Sequence, residues 1–158
     1  MPEITFREVS LDNLRDVLNL KVAESQKGFV ADNTQSLAWS RYLPNLLPTA
    51  LQAGDTPVGF ALYGSWGDEK PGLWGIARFM IDEQHQGKGY GKAAMRTILH
   101  DIKERDPDVR GVVLYYVPDN DAARKLYASV GFRETGEMWD HQVAAQYDYP
   151  DAIDSREA

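Results

Sequence analysis

Gln86-Gly87-Lys88-Gly89-Tyr90-Gly91 lies between an apolar run, Leu73 to Ile81, and a stretch with helical periodicity. Glycines let backbone amides approach a ligand without Cβ interference. The start of a helix aims unpaired N–H groups and a partial positive charge at the same point. Lys88 and Lys92 add mobile cations. The chemistry on offer is anion binding; the alternative is a Gly-rich turn with solvated lysines. Two standard phosphate motifs are excluded. The P-loop needs four residues between its glycines and then Gly-Lys-Ser or Gly-Lys-Thr, which are absent. The dinucleotide fingerprint fails because Lys92 stands where its third glycine belongs. Gly64-Ser65-Trp66-Gly67 has the wrong spacing for a serine nucleophile elbow.

A second constellation runs from Asn120 to Phe132. Asn120 suits a helix N-cap, and Tyr127 carries a phenol that is protonated at neutral pH and able to donate. Tyr127 also falls on the apolar stripe of Ala123, Leu126 and Val130, where an aromatic can simply be core. Glu24, Asp82, Glu83, Asp68 and Glu69 are candidate bases, although most carboxylates are only solvated. His85, His100 and His141 are scattered and lack Cys partners, so no metal site is expected. Of the aromatics Phe29, Trp39, Tyr42, Tyr63, Trp66 and Trp74, most should be core, while one or two could face an alkylammonium.

The elements that must position these groups are readable. Ile4 to Val9 reads as a strand. Ser10 or Asp12 could cap a helix carrying Leu11, Leu14, Val17, Leu18 and Val22. A second helix spans Thr34 to Tyr42 and stops before Pro44. Thr49 to Ala53 and Val58 to Tyr63 form a hairpin through Gly54-Asp55-Thr56-Pro57. Leu73 to Ile81 is an apolar strand interrupted by Gly75 and Arg78. After the glycine loop, Met95, Ile98, Leu99 and Ile102 share one helix face. Gly111 to Val117 is a continuous apolar strand, hence central. Gly131 sits where the last helix ends, and strands follow from Phe132 and over Gln142 to Tyr149.

The chain has 158 residues and a net charge of -7. That length suits one domain, expected over residues 1–150, with 151–158 a flexible acidic tail. The acidic balance argues against nucleic-acid binding, which needs clustered Lys and Arg. No apolar run approaches the roughly 20 residues needed to span a bilayer. With no signal-like start and no Cys, a soluble cytoplasmic protein is expected.

Two motifs together resemble the GNAT family of acyl-CoA-dependent N-acetyltransferases. The family's pyrophosphate loop is Arg or Gln, two residues, Gly, one residue, Gly or Ala; Gln86, Gly89 and Gly91 match it. Its second signature is matched by Asn120, Ala123, Tyr127 and Gly131-Phe132. The resemblance implies a mixed α/β fold: a central, mostly antiparallel twisted sheet of six or seven strands flanked by about four helices. It implies acetyl-CoA as co-substrate, held by Gln86, Gly87, Lys88, Gly89, Tyr90, Gly91, Lys92, Asn120 and Tyr127. It also implies contacts from the strand end at Phe79, Met80 and Ile81, whose backbone amides would hold the thioester carbonyl. Tyr127 would be the catalytic acid that protonates the departing thiolate, and a homodimer is possible.

The segment Leu20-Lys21-Val22, Gln26 to Ala31, Asn33 and Ser36 is similar to bacterial spermine/spermidine acetyltransferases. Arg78-Phe79-Met80-Ile81-Asp82 is similar to the same subgroup. Where that subgroup commonly has Glu immediately before the Gln, this chain has Ser25, with Glu24 one position earlier. The resemblance implies a cationic amine acceptor, and Glu24 and Asp32 are the nearest carboxylates to line its site. An alkylamine is about 3.4 pH units from its neutral form at pH 7, roughly 4.6 kcal/mol. Its proton must leave through a base or a water chain. A carboxylate in direct contact would favour the charged form, so a water relay is preferred. The alternatives are an aminoglycoside, amino-acid or protein N-terminal acetyltransferase, or a non-catalytic acetyl-CoA-binding module.

Overall fold

In the computed structural model, residues 2–29 and 31–150 are described. Seven strands form: β1 (Thr5–Glu8), β2 (Leu46–Ala53), β3 (Thr56–Ser65), β4 (Leu73–Ile81), β5 (Gly111–Tyr116), β6 (Arg133–Trp139) and β7 (Gln142–Asp148). They form one sheet in the order β1-β2-β3-β4-β5-β7-β6. Every neighbouring pair is antiparallel except β4 and β5. That parallel pair needs a crossover, supplied by α3 (Tyr90–Arg105). The other helices are α1 (Leu14–Asn19), α2 (Asn33–Tyr42) and α4 (Asp121–Ser129). This is the expected mixed fold, with β5 central between β4 and β7. The acidic segment 151–158 lies outside the described residues.

The sheet carries a core on each face. Met95, Ile98 and Ile102 of α3 pack with Val112 and Leu114 of β5 and Ile76 and Ile81 of β4. On the other face, Val17 of α1 packs with Ala50, Phe60, Leu62 and Met80, with Leu37 of α2 against them.

The first helix is shorter than the sequence suggests. Asn13 is buried; its Nδ2 donates to the Glu8 carbonyl at 3.0 Å and its Oδ1 accepts from the Ser10 amide at 2.9 Å. This makes 10–13 a turn, and neither Ser10 nor Asp12 caps the helix. Leu11 is 91% exposed, and Val22 lies beyond the helix end at Asn19. The apolar spacing there came partly from residues that serve other purposes.

The feature that matters for chemistry is where β4 and β5 part. Their register ends at Ile76 opposite Leu114, although β4 continues to Ile81 and β5 to Tyr116. The cause sits on the other edge of β4. Leu62 pairs with Arg78 but Tyr63 pairs with Ile76, so Ala77 is a bulge residue. One extra residue bends and twists a strand away from its neighbour. β4 stays bonded to β3 as far as Ile81 opposite Gly59, and a gap opens on its β5 side.

Candidate active site

A groove follows that gap, in two lobes. The loop lobe is walled by Phe79, Met80 and Ile81 of β4, Gln86, Gly87 and Gly91 of the glycine loop, and Ala122 and Leu126 of α4. The β5 lobe is walled by Ala77, Arg78, Tyr115, Tyr116, Gln142, Gly28 and Ala31. Phe29, Phe79, Asn120, Ala123 and Tyr127 line both, so the lobes meet at those residues.

The glycine loop is shaped by its backbone. Gly87 and Gly89 have φ of 77° and 85°, the left-handed region where a Cβ is strained. Gly89 is the N-cap of α3 and offers no side chain, so the first-turn amides of this 16-residue helix have no side-chain cap. A Cβ on Gly91 would stand 3.4 Å from the Leu126 side chain, an ordinary contact between α3 and α4 beside the lobe. A Cβ on Gly87 would meet nothing, which leaves open space in front of the loop. Open space, bare amides and a helix N-terminus fit a phosphate-bearing ligand. Gln86 instead ties neighbours together. Its Nε2 donates to the Ile81 carbonyl at 2.9 Å and to Gln26 Oε1 at 2.8 Å.

Lys88, Gly89, Tyr90 and Lys92 do not line the groove. Tyr90 packs against the core, its ring edge-on to His85 at 6.2 Å. The lysines are left as mobile charges outside the walls, and Gly89 acts through its conformation.

Tyr127 stands at the junction of the lobes, at once on the groove wall and on the packed face of α4. Its ring packs against Tyr116 and Phe132, with centroids 5.7 and 5.8 Å away. Burial, with a smaller contribution from Tyr116, pushes its phenol well above the ordinary tyrosine range. It is therefore a protonated donor at any ordinary assay pH. Asn120 also does two things: its Oδ1 accepts from the Ala123 amide at 3.1 Å, capping α4, while the residue lines both lobes.

The carboxylates expected near an amine are elsewhere. Glu24 is exposed and paired with Lys27 at 2.7 Å. Asp32 caps α2 through the Gln35 amide at 2.7 Å. Asp82 is buried, accepting from the Lys21 amide at 3.0 Å and the Gln84 amide at 3.3 Å. Glu83, Asp68 and Glu69 are exposed. None of them lines either lobe. Glu24, Asp32 and Asp82 are consumed by a surface pair, a helix cap and a turn. Of the aromatics considered in the sequence, Phe29 alone reaches the groove. Among the described residues no group of three or more His, Cys, Asp or Glu could hold a metal ion, and no helix is long and apolar enough to cross a membrane.

Sequence reasoning missed Arg78, Tyr115, Tyr116 and Gln142. Arg78 Nη1 donates to the Ala77 carbonyl at 2.7 Å, and the guanidinium lies over the Trp39 ring at 4.8 Å. Its Nε is buried with no partner. Tyr116 donates to Glu134, which also accepts from Arg124 Nε at 3.1 Å. Burial and that carboxylate raise the Tyr116 phenol. The one local signal was a charged residue, Arg78, interrupting an apolar strand.

Residues 14–132 match the family described as the acetyltransferase (GNAT) family. The chain is 30% identical over 139 residues to spermine/spermidine N(1)-acetyltransferase of Bacillus subtilis (strain 168), covering 85% of this chain and 91% of that protein. It is 34% identical over 87 residues to N-alpha-acetyltransferase RimI of Mycobacterium tuberculosis (strain ATCC 25618 / H37Rv), covering 54% of this chain and 51% of that one. In fold it is similar to the aminoglycoside acetyltransferase AAC(6')-Ib solved with coenzyme A. The TM-score is 0.75 at 19% identity, covering 99% of this chain and 100% of that one.

Proposed function

Because the chain belongs to the acetyltransferase (GNAT) family and is an acetyl-CoA-dependent N-acetyltransferase, we propose that the groove transfers the acetyl group to a primary amine with Tyr127 as the acid. One observation carries this reading: Tyr127, a half-buried residue whose phenol is kept protonated, stands where an anion-suited loop lobe meets a second lobe. The bound thioester supplies an acyl carbon open to attack by nitrogen. Gly87, Gly91 and the start of α3 hold the diphosphate end. Backbone amides of β4 beyond the bulge, around Phe79 to Ile81, hold the carbonyl oxygen as charge develops there. The Tyr127 hydroxyl gives its proton to the sulfur as the C–S bond breaks and the N–C bond forms. No carboxylate lines the walls, so the amine proton leaves to solvent.

For the acceptor we propose a polyamine such as spermidine or spermine. The extensive similarity to a Bacillus enzyme of that name supports it, as does the net charge of -7. Glu24 and Asp32 lie outside the walls, held by Lys27 and by the Gln35 amide, and act on remote ammonium groups only through long-range attraction. The test follows free CoA thiol on adding an amine panel at low and high salt. Spermidine and spermine should show higher kcat/KM than a monoamine of equal length, and the advantage should shrink with salt. Equal, salt-independent rates would refute the polyamine while leaving the acetyltransferase intact.

A further inference from the structure

The β5 lobe has a positive charge on its wall and no negative one. Arg78 belongs to that wall, and its guanidinium is bonded to the carbonyl of Ala77, another wall residue and the bulge that parts the strands. No ion pair of Arg78 occurs among the described residues, and burial alone perturbs it, lowering its pKa.

Glu134 of β6 accepts from the wall residue Tyr116 but is paired with Arg124 at 3.1 Å, which Asp121 also approaches at 3.8 Å, so the surrounding elements offer no uncommitted carboxylate to balance Arg78. On α2, Trp39 covers the guanidinium, Arg41 is exposed and Asp32 is engaged as a cap. The one titratable side chain of β3, Tyr63, turns to Asp101 of α3 on the opposite face. β5 and α4 present the phenols of Tyr115, Tyr116 and Tyr127, and β7 presents Gln142. In the segment before Phe29, Glu24 and Lys27 neutralise each other, and Asp82 at the end of β4 is taken by the Lys21 and Gln84 amides.

Direct capture of an anion fits this guanidinium poorly. Gripping a carboxylate side-on needs Nε together with a terminal nitrogen. Here Nε is sealed from solvent and Nη1 is committed to Ala77. Nη2 is left to donate singly, and the group as a whole projects the field of its fixed charge.

Resting on the acetyltransferase reading above, we infer that Arg78 is an electrostatic positioning residue that lowers the pKa of the acceptor ammonium, so that its nitrogen reacts in the neutral form without a carboxylate base. A fixed like charge disfavours the charged form of a neighbour. One ammonium proton passes to water before attack, freeing the nitrogen lone pair to form the N–C bond; the second leaves the nitrogen as the C–S bond breaks and balances the proton that Tyr127 gives to the sulfur.

The experiment measures kcat against pH with spermidine and saturating acetyl-CoA for wild type, Arg78→Met, Arg78→Gln and Arg78→Lys. Loss of the charge should move the rising limb upward by roughly one pH unit. The neutral variants then run roughly tenfold slower near pH 7 and converge with wild type in alkali. Arg78→Lys should restore the wild-type midpoint. A uniform fall at every pH, or an unchanged profile, overturns the inference in favour of a packing role. A loss confined to the KM of a carboxylate-bearing amine such as lysine overturns it in favour of an anion contact. If neither neutral variant folds, wild type alone decides: its kcat midpoint must lie below the pKa of the free amine, and a midpoint at or above that value overturns the inference. Failure of wild type to acetylate any amine would instead bring down the acetyltransferase reading on which the inference rests.

Discussion

The two lobes of the groove are built in opposite ways. Most of the loop lobe comes from two short stretches, Phe79 to Gly91 and Asn120 to Tyr127. The β5 lobe is assembled from Gly28, Phe29 and Ala31, the bulge of β4, the end of β5, the start of α4 and Gln142 of β7. Backbone conformation governs the first, through positive φ at Gly87 and Gly89 and an N-cap without a side chain. The second depends on a register shift and on one guanidinium, Arg78, whose Nε has no hydrogen-bond partner. A site made by backbone geometry leaves a local mark in the sequence, whereas one made by the meeting of distant segments leaves almost none.

Substitutions can separate the lobes. The largest effect is expected at their junction. Tyr127→Phe keeps the ring against Tyr116 and Phe132 but removes the proton donor, and kcat should fall by about 10²–10⁴. Melting temperature and acetyl-CoA affinity should stay close to wild type. Because the phenol titrates well above its usual range, wild-type activity should show no decline from ionisation of Tyr127 at ordinary alkaline assay pH. Turnover within twofold of wild type would reduce Tyr127 to a packing residue.

A smaller, one-sided effect should come from Gly89→Ala. A Cβ at φ +85 costs roughly 1–2 kcal/mol, so the loop relaxes from the shape that suits the ligand. Calorimetry should show acetyl-CoA binding weakened by about tenfold, with the amine KM nearly unchanged. Equal losses for both substrates would erase the distinction between the lobes. The smallest effect belongs to Glu24→Gln, which breaks an exposed pair outside the walls. The polyamine KM should rise by about twofold at low salt and less at high salt, with acetyl-CoA KM and stability unmoved. A tenfold rise would place Glu24 in direct contact with the amine.

The same contrast explains what could be read beforehand. The strand at Leu73–Ile81 and the helix after the loop follow from periodicity, and Asn120 and Gly131 mark the ends of α4. The first helix was misread because Asn13 spends its side chain on the backbone of Glu8 and Ser10, a choice no spacing reveals. Arg78 was visible as an interruption in an apolar strand, but its meaning depends on the bulge at Ala77 and on Trp39, far away in sequence. Glu24 and Asp32 looked suitable because of their position along the chain, and local capping and pairing had already claimed both.

Gln86 has a consequence that reaches past its own lobe. One amide nitrogen holds both the end of β4 and Gln26, just ahead of Phe29 on the shared wall. A few residues away, Lys21 exchanges backbone bonds with the Asp82 side chain and the Glu83 amide. The segment before Phe29 is thus moored to the residues that lead into the glycine loop, and with them the lobe proposed for the amine to the lobe proposed for acetyl-CoA. If filling one lobe shifts this mooring, the affinity of the other changes by some factor, and thermodynamic linkage requires the same factor in return. Any preferred order of addition would then be a matter of rates, superimposed on a coupling that is symmetrical by necessity.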